Sequence, residues 1–361
     1  MEQFDLAQYL AQGVEGVVKE ALKATLSNPK AALFMARFAR ASHKAEKRRQ
    51  EAETRGEHIP PFLIASITSR CNLRCAGCYA IENQGCGEKE NDGVLTAAQW
   101  RSIFREAETL GISFILLAGG EPLLRKDVLT AAGEIPAILF PVFTNGLLFD
   151  DDLYTLFDRC RNLIPMISLE GQENFTDRRR GRGVYEKLLC VMDRLTKSGI
   201  LFGVSVTVTT ENAEEVTSAA FLRQLKAKGC KAVIYVEYVP FGGDQDQLAF
   251  AAEDRLRFGE RLLTLRSSDQ DMVLLAFPGD EEESGGCLAA GRGFFHINAK
   301  GGAEPCPFSP YSDYNVKDGT LLEAMSSGLF THLQGSGMLL AEHTGGCTLF
   351  SRKDEVEAFL K

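Results

Sequence analysis

No run of about 18 or more uncharged apolar residues occurs in this 361-residue chain, so no membrane-spanning helix is expected. The first residues, MEQFDLAQYL, lack the basic then apolar layout of a secretory signal, and the expected location is the cytoplasm. A positive balance is missing as well. Against 40 Lys and Arg stand 49 Asp and Glu, a formal charge of -9, which argues against a general nucleic-acid surface and leaves a small molecule or a peptide as the expected partner. With 45% hydrophobic residues the chain can bury a large core, which excludes global disorder and allows two domains or one barrel with additions. Ten cysteines in a chain without an export signal do not suggest a disulfide framework, because cytosolic thiols are kept reduced. Metal binding or catalysis is then the leading explanation for any cluster of them.

Residues 1–58 read as a helical extension with one break, where Ser27, Asn28 and Pro29 supply a cap and a first-turn proline. The second helix carries Leu33, Phe34, Phe38 and Ala41 near helical spacing. Between Lys19 and Arg49 lie nine basic and two acidic residues, so residues 19–49 suit either a solvated helix packed on the main domain or a peripheral membrane contact. From residue 59 to 276 apolar runs alternate with helical stretches. The runs are Phe62 to Thr68, Phe114 to Ala118, Ile138 to Thr144, Leu163 to Leu169, Gly203 to Thr209 and Ala232 to Val239. Helices are predicted around Ala97 to Leu110, Asp150 to Cys160, Tyr185 to Ser198 and Ala213 to Lys228. Strands apolar throughout, each followed by a helix, indicate a parallel sheet with helices outside, either doubly wound or an incomplete barrel. Residues 277–361 change character: glycines and prolines crowd around Cys287 and Cys306, as in a small loop-rich module.

In SITSRCNLRCAGCYA, residues 66–80, three cysteines fall within eight positions on the loop after the first strand, where α/β folds keep their active sites. Thiolates so spaced select zinc or an iron-sulfur cluster, and three of them on a four-iron cube leave one iron open. CNLRCAGC after a strand resembles the cluster loop of the radical S-adenosylmethionine (SAM) superfamily. The resemblance implies a partial (β/α)6 TIM barrel and a 4Fe-4S cluster held by Cys71, Cys75 and Cys78. SAM would bind the open iron and be cleaved reductively to methionine and a 5′-deoxyadenosyl radical, with a flavodoxin or ferredoxin-type protein as electron donor.

Further motifs resemble the family in order. AGGEP implies that Gly119, Gly120, Glu121 and Pro122 form the turn that meets the SAM amino group. TNG (Thr144, Asn145) and SLEG (Ser168, Glu170) resemble positions at the SAM ribose and carboxylate, with Glu170 where aspartate is commoner. RRRGRG implies an arginine for the SAM carboxylate, Arg180 by choice, with Arg178, Arg179 and Arg182 as competitors. Thr207 opens TVTTEN at the fifth strand's end. Gly77 stands where the family often has an aromatic residue, so adenine contact falls to the Gly77 backbone or to Tyr79. Cys86 is a candidate hydrogen donor or substrate contact, and Glu237, with Tyr235, Tyr238 and Asp280, a candidate lining of the substrate pocket. Cys287, Cys306 and Cys347 resemble a Twitch-type (short SPASM) module binding an auxiliary 4Fe-4S cluster, with His343 or Glu304 as candidate fourth ligand. Cys160, Cys190 and Cys230 read as packing residues. The alternatives of another class are a noncatalytic iron-sulfur carrier or zinc scaffold on the same fold, and an enzyme acting on lipid at the membrane surface. No recognisable winged-helix peptide-binding domain is present.

Overall fold

The computed structural model describes residues 6–26, 28–83, 85–87, 92–240, 246–268, 272–277, 286–340 and 347–361. Two helices come first, α1 (Leu6–Thr25) and α2 (Pro29–Glu53). They part where the sequence predicts. The Asn28 side chain accepts from Ala31 N at 3.1 Å and Pro29 opens the second helix, while Ser27 lies outside the described residues.

Strands and helices then alternate in the order β1 (Phe62–Thr68), α3 (Tyr79–Glu82), α4 (Ala97–Leu110), β2 (Phe114–Gly119), α5 (Lys126–Gly133), β3 (Phe140–Thr144), α6 (Asp151–Arg159) and β4 (Leu163–Ser168). After these come α7 (Glu173–Arg180), α8 (Val184–Lys197), β5 (Gly203–Val208), α9 (Ala213–Val216), α10 (Ala219–Ala227), β6 (Ala232–Glu237), α11 (Ala252–Ser268) and β7 (Val273–Phe277). Each strand from β1 to β7 pairs in parallel with the next, so the order never reverses. With right-handed crossovers, a sheet of monotonic order keeps all its helices on one side, which is barrel winding rather than double winding. The sheet does not close.

Two elements depart from expectation. The stretch predicted as one helix to Lys228 is two, because Thr217 and Ser218 interrupt it and the Ser218 hydroxyl caps α10 at Phe221 N. The α11 and β7 pair was not legible as a unit. Leu256 and Leu263 are exposed while Phe258, Leu262 and Leu265 are buried, so α11 shows no clean apolar stripe. Of the cysteines expected to pack, Cys230 and Cys160 do so, but Cys190 is exposed on α8.

The register fixes which side chains face inward. Tyr235 donates from its hydroxyl to the Val216 carbonyl of α9, so it faces the helices, and pairing carries that face through Val206, Val204 and Ile167. The opposite, concave side holds Ile64, Ser66, Leu116, Ala118, Phe143 and Ile234, all only half-buried. It is a chamber rather than a filled core. At the N-terminal ends of the strands α1 and α2 form its floor: Val14, Val18, Met35 and Phe38 pack on Phe114, Phe62, Leu116 and Leu139. Phe34 and Phe38, the apolar residues that suggested a membrane face, are thus turned onto the barrel, although Leu33 stays exposed.

Arg49, one of the basic residues of that run, is buried, with Nη1 donating to the Gly111 carbonyl and, at 3.2 Å, to Ser113 Oγ. Arg49→Met leaves both acceptors without a partner. It is expected to lower stability by about 1–3 kcal/mol, read as a lower urea midpoint with an unchanged slope.

Beyond Phe277 the chain returns to the other edge of the same sheet. Strand β8 (His296–Ile297) pairs in parallel with β1, β9 (Gly302–Glu304) lies antiparallel to β8, and β10 (Tyr314–Asn315) antiparallel to β9. Short helices α12 (Leu321–Met325), α13 (Gly328–Gly335), α14 (Thr348–Ser351) and α15 (Lys353–Leu360) complete the module. Phe277, at the end of β7, packs against Phe294 and Phe308 and so bridges the sheet's two halves.

Candidate active site

The loop from Ser69 to Gly87 is tied down by backbone bonds alone: Cys71 N donates to Gly87 O, Gly87 N to Ser69 O, Cys86 N to Ala80 O, and Ala76 N to Arg179 O of α7. Gly77 has φ +62°, a left-handed conformation, and its carbonyl receives Arg179 Nη2 at 3.4 Å. An aromatic residue at this position would carry the left-handed penalty of about 1–2 kcal/mol, which is a local reason for glycine.

Cys71, Cys75 and Cys78 share one electrostatic neighbourhood. Burial pushes the Cys71 thiol up to about 11, with Cys75 and Cys78 adding to the rise. Burial also raises Cys75, opposed by Arg180, whose Nη1 is 3.8 Å from Cys75 Sγ. Cys78 is pulled down to about 6, chiefly by a hydrogen bond with Cys86, and that bond raises Cys86. Cys86 is therefore a fourth thiol beside the cluster loop, turned to Cys78 rather than freely toward a substrate. Among the described residues no three His, Cys, Asp or Glu side chains converge closely enough to hold a single metal ion. A zinc ion draws its donors within about 2.3 Å, and the loop is not drawn in that way. A four-iron cube is larger than one ion and accepts thiolates that stand further apart; three soft donors on a loop with a cationic neighbour fit it.

The end of β2 is pressed against this loop. Gly120 N donates to Thr68 O and Glu121 N to Arg70 O. A Cβ at Gly119 would lie 2.4 Å from Thr68 O, and one at Gly120 2.1 Å from Arg70 O, so the glycines first serve contact between two strand ends. The Glu121 carboxylate is not offered to a ligand. It is 1% exposed and accepts from Leu123 N at 3.0 Å, Thr144 Oγ1 at 2.7 Å and Asn145 N at 2.8 Å. Burial raises its pKa above the ordinary carboxylate value against the pull of those donors. Its role is to lock β2 to β3, and Asn145 Nδ2 passes the lock on to Asn72 of the cluster loop. Pro122 starts a buried turn beside it.

Glu170 is placed in the same manner. Its carboxylate accepts from Arg180 Nε at 2.9 Å and from Thr207 N at 2.8 Å, fastening β4 to α7 and β5. Arg180, the sequence's choice for a ligand carboxylate, is thereby committed to Glu170 and Cys75. Arg179 differs: its Nε is buried and has no hydrogen-bond partner, although it stands 3.4 Å from Glu170 Oε1. Ser168 and Thr207 stay half-buried toward the chamber, Ser168 Oγ lying 3.3 Å from Ser205 Oγ.

Three expectations are corrected. Tyr79 stacks edge-on against Phe308 at 5.1 Å, between the thiols of Cys78 and Cys306, so it joins the two cysteine regions instead of facing the chamber. Glu237 shares the helix-facing side of β6 with Tyr235 and accepts from Arg255 Nη2 of α11 at 2.7 Å. Glu304 is bound by His296 and Asn298 and is not free to complete a cluster. His343 and Asp280 lie outside the described residues. Cys287 N donates to Leu339 O, Cys347 caps α14 against that same 338–340 turn, and Pro305 beside Cys306 accepts from Ala290 N. The three C-terminal cysteines thus stand on segments that pack together.

Residues 65–223 match the family described as the radical SAM superfamily. The sporulation killing factor maturation protein SkfB of Bacillus subtilis (strain 168) is 29% identical over 164 residues, 44% of this chain and 38% of that protein. The AdoMet-dependent heme synthase of Methanosarcina barkeri (strain Fusaro / DSM 804) is 27% identical over 288 residues, 72% of this chain and 80% of that protein. The chain thus spans less than half the length of the first relative and about four fifths of the second. Among solved structures, Streptococcus suis SuiB bound to S-adenosylmethionine aligns with a TM-score of 0.64 at 15% identity, over 80% of this chain and 71% of SuiB. SuiB bound to its precursor peptide SuiA aligns at 0.63 and 15%, over 86% and 73%. At this identity the likeness is one of fold.

Proposed function

Since the chain belongs to the radical SAM superfamily, we propose that it cleaves SAM reductively and uses the radical to abstract hydrogen from a peptide held in the concave chamber. The observation that carries this reading is the cysteine loop pinned to the Gly119–Glu121 turn directly above a half-buried, mostly apolar cavity wall. Cys71, Cys75 and Cys78 hold a 4Fe-4S cluster, which with SAM on its open iron supplies an electron that breaks a carbon-sulfur bond. Arg180 steadies Cys75 and Glu170. Arg179, whose buried Nε lacks a partner, is the arginine left for the SAM carboxylate. Cys86 steadies Cys78. Cys287, Cys306 and Cys347 hold an auxiliary cluster, with Tyr79 between the two.

SkfB as a maturation protein and the SuiB complex with its precursor peptide support a peptide as substrate. A second reading, a tetrapyrrole, is favoured by the greater coverage of the heme synthase. The test incubates the anaerobically reconstituted chain with SAM and dithionite, adding either a short peptide encoded beside its gene or iron coproporphyrin III. Faster 5′-deoxyadenosine formation with the peptide, together with a mass change in it, is the expected result. Stimulation by the porphyrin alone turns the assignment to the second reading, and absence of SAM cleavage defeats both.

A further inference from the structure

Ser66 projects from the concave side of β1. It is in register with Ala118 of β2, one pair below the Thr68 and Gly119 level where the cluster loop and the glycine turn meet. Its Oγ lies 2.7 Å from Nε2 of His296 on β8, and Nδ1 of His296 lies 2.7 Å from Oε2 of Glu304 on β9. The other carboxylate oxygen, Oε1, accepts from Asn298 Nδ2 at 2.6 Å. His296 and Glu304 are 4% and 5% exposed, whereas Ser66 is half-buried and reaches the chamber.

The donor inventory gives this chain a direction. A carboxylate only accepts, so the imidazole proton sits on Nδ1 and points to Glu304. In a neutral imidazole Nε2 is then an acceptor, and the proton it receives is that of Ser66. With its proton drawn toward β8, the Ser66 oxygen keeps its lone pairs for the chamber. The neighbours on that wall, Ile64, Leu116 and Ala118, offer no polar side chain. An isolated acceptor of fixed direction on an apolar wall discriminates strongly between a group that can donate to it and one that cannot.

We propose that Ser66 is the acceptor that seats an N–H or O–H donor of the substrate beneath the glycine turn, with His296 and Glu304 orienting it. This rests on the concave chamber being the substrate site, as proposed above. It also assigns Glu304 to this chain and not to the auxiliary cluster.

The experiment uses the reconstituted full chain with SAM and dithionite and two small probes, 2-propanol and 2-methoxypropane, each deuterated at C2. Both present the same carbon-deuterium bond; only the alcohol has a donor. Deuterium in 5′-deoxyadenosine, measured by mass spectrometry as a fraction of the total, should favour the alcohol about five-fold, the worth of one hydrogen bond. Ser66→Ala should bring the ratio to about one and Ser66→Thr should restore it. Glu304→Gln should lower the ratio while keeping the iron of both clusters. No preference in the unaltered chain, or one that survives Ser66→Ala, overturns the contact, and loss of iron in Glu304→Gln overturns the assignment of Glu304. Absence of 5′-deoxyadenosine altogether overturns the function proposed above and this contact with it.

Discussion

Replacing Cys71, Cys75 and Cys78 together by alanine is expected to lower the iron of the reconstituted chain from about eight to about four and to abolish 5′-deoxyadenosine formation. The fold should survive, because the loop is anchored by main-chain bonds from Cys71 N, Ala76 N, Cys86 N and Gly87 N that the substitutions leave in place. Of the sulfur contacts, the one from Leu73 N to Cys71 Sγ is long, at 3.5 Å. Iron analysis, thermal melting and product assay on one preparation separate the possibilities. About four irons with normal melting and no product is the expected result. Loss of all iron would mean that the C-terminal cysteines do not hold a cluster of their own, and retained SAM cleavage would remove the cysteine loop from the mechanism.

Gly120→Ala is expected to be nearly as severe, for a reason of space alone. The new methyl group would stand 2.1 Å from the Arg70 carbonyl oxygen, 2.5 Å from its carbon and 3.1 Å from its nitrogen. All three are backbone atoms, so no side chain can swing away. Relief requires β2 to part from the cluster loop, which loosens the bond from Glu121 N to Arg70 O at 2.8 Å. Overpacking of this kind costs about 1–3 kcal/mol. Misplacing a reacting group by about 1 Å costs about a hundred-fold in rate, so product formation should fall by that much while most of the chain stays folded. Gly87→Ala is the control: it lies in the same loop, and its Cβ would meet nothing within 4 Å. Equal rates for the two variants would show that the approach of the two strand ends does not matter to the chemistry.

Much of this could be read from the chain because it is local. An apolar run followed by a helix, three thiols within eight positions and glycines at a strand end are all patterns of neighbouring residues. Direction is not local. Glu121 and Glu170 were recognisable as motif carboxylates, yet whether a carboxylate faces a ligand or the protein depends on Thr144, Asn145, Arg180 and Thr207, which arrive on other elements. Arg179 and Arg180 are adjacent on α7, and the turn of about 100° between consecutive helical residues decides which one meets Glu170 squarely. Ser66, His296 and Glu304 carry no joint signal at all, since β1 and β8 are brought together only when the sheet is assembled. The floor of the chamber was hidden for a related reason. A helix that covers strand ends shows the same one-sided apolar pattern as a helix lying on a membrane.

The pairing of β1 with β8 also bears on synthesis. Ile64 aligns with His296, so one edge of the first strand waits for a partner made 296 - 64 = 232 residues later, whereas its other edge meets β2 after about fifty. At a translation rate of about 5–20 residues per second, that edge is unpaired for on the order of ten to fifty seconds. Unpaired strand edges recruit other chains. The only cover to be found early is what precedes β1, and α1 and α2 have already left the ribosome when Phe62 and Phe114 emerge. By holding Phe38 against Phe114, with rings 5.5 Å apart, the two helices can gather the nascent sheet at its base before its last strands exist.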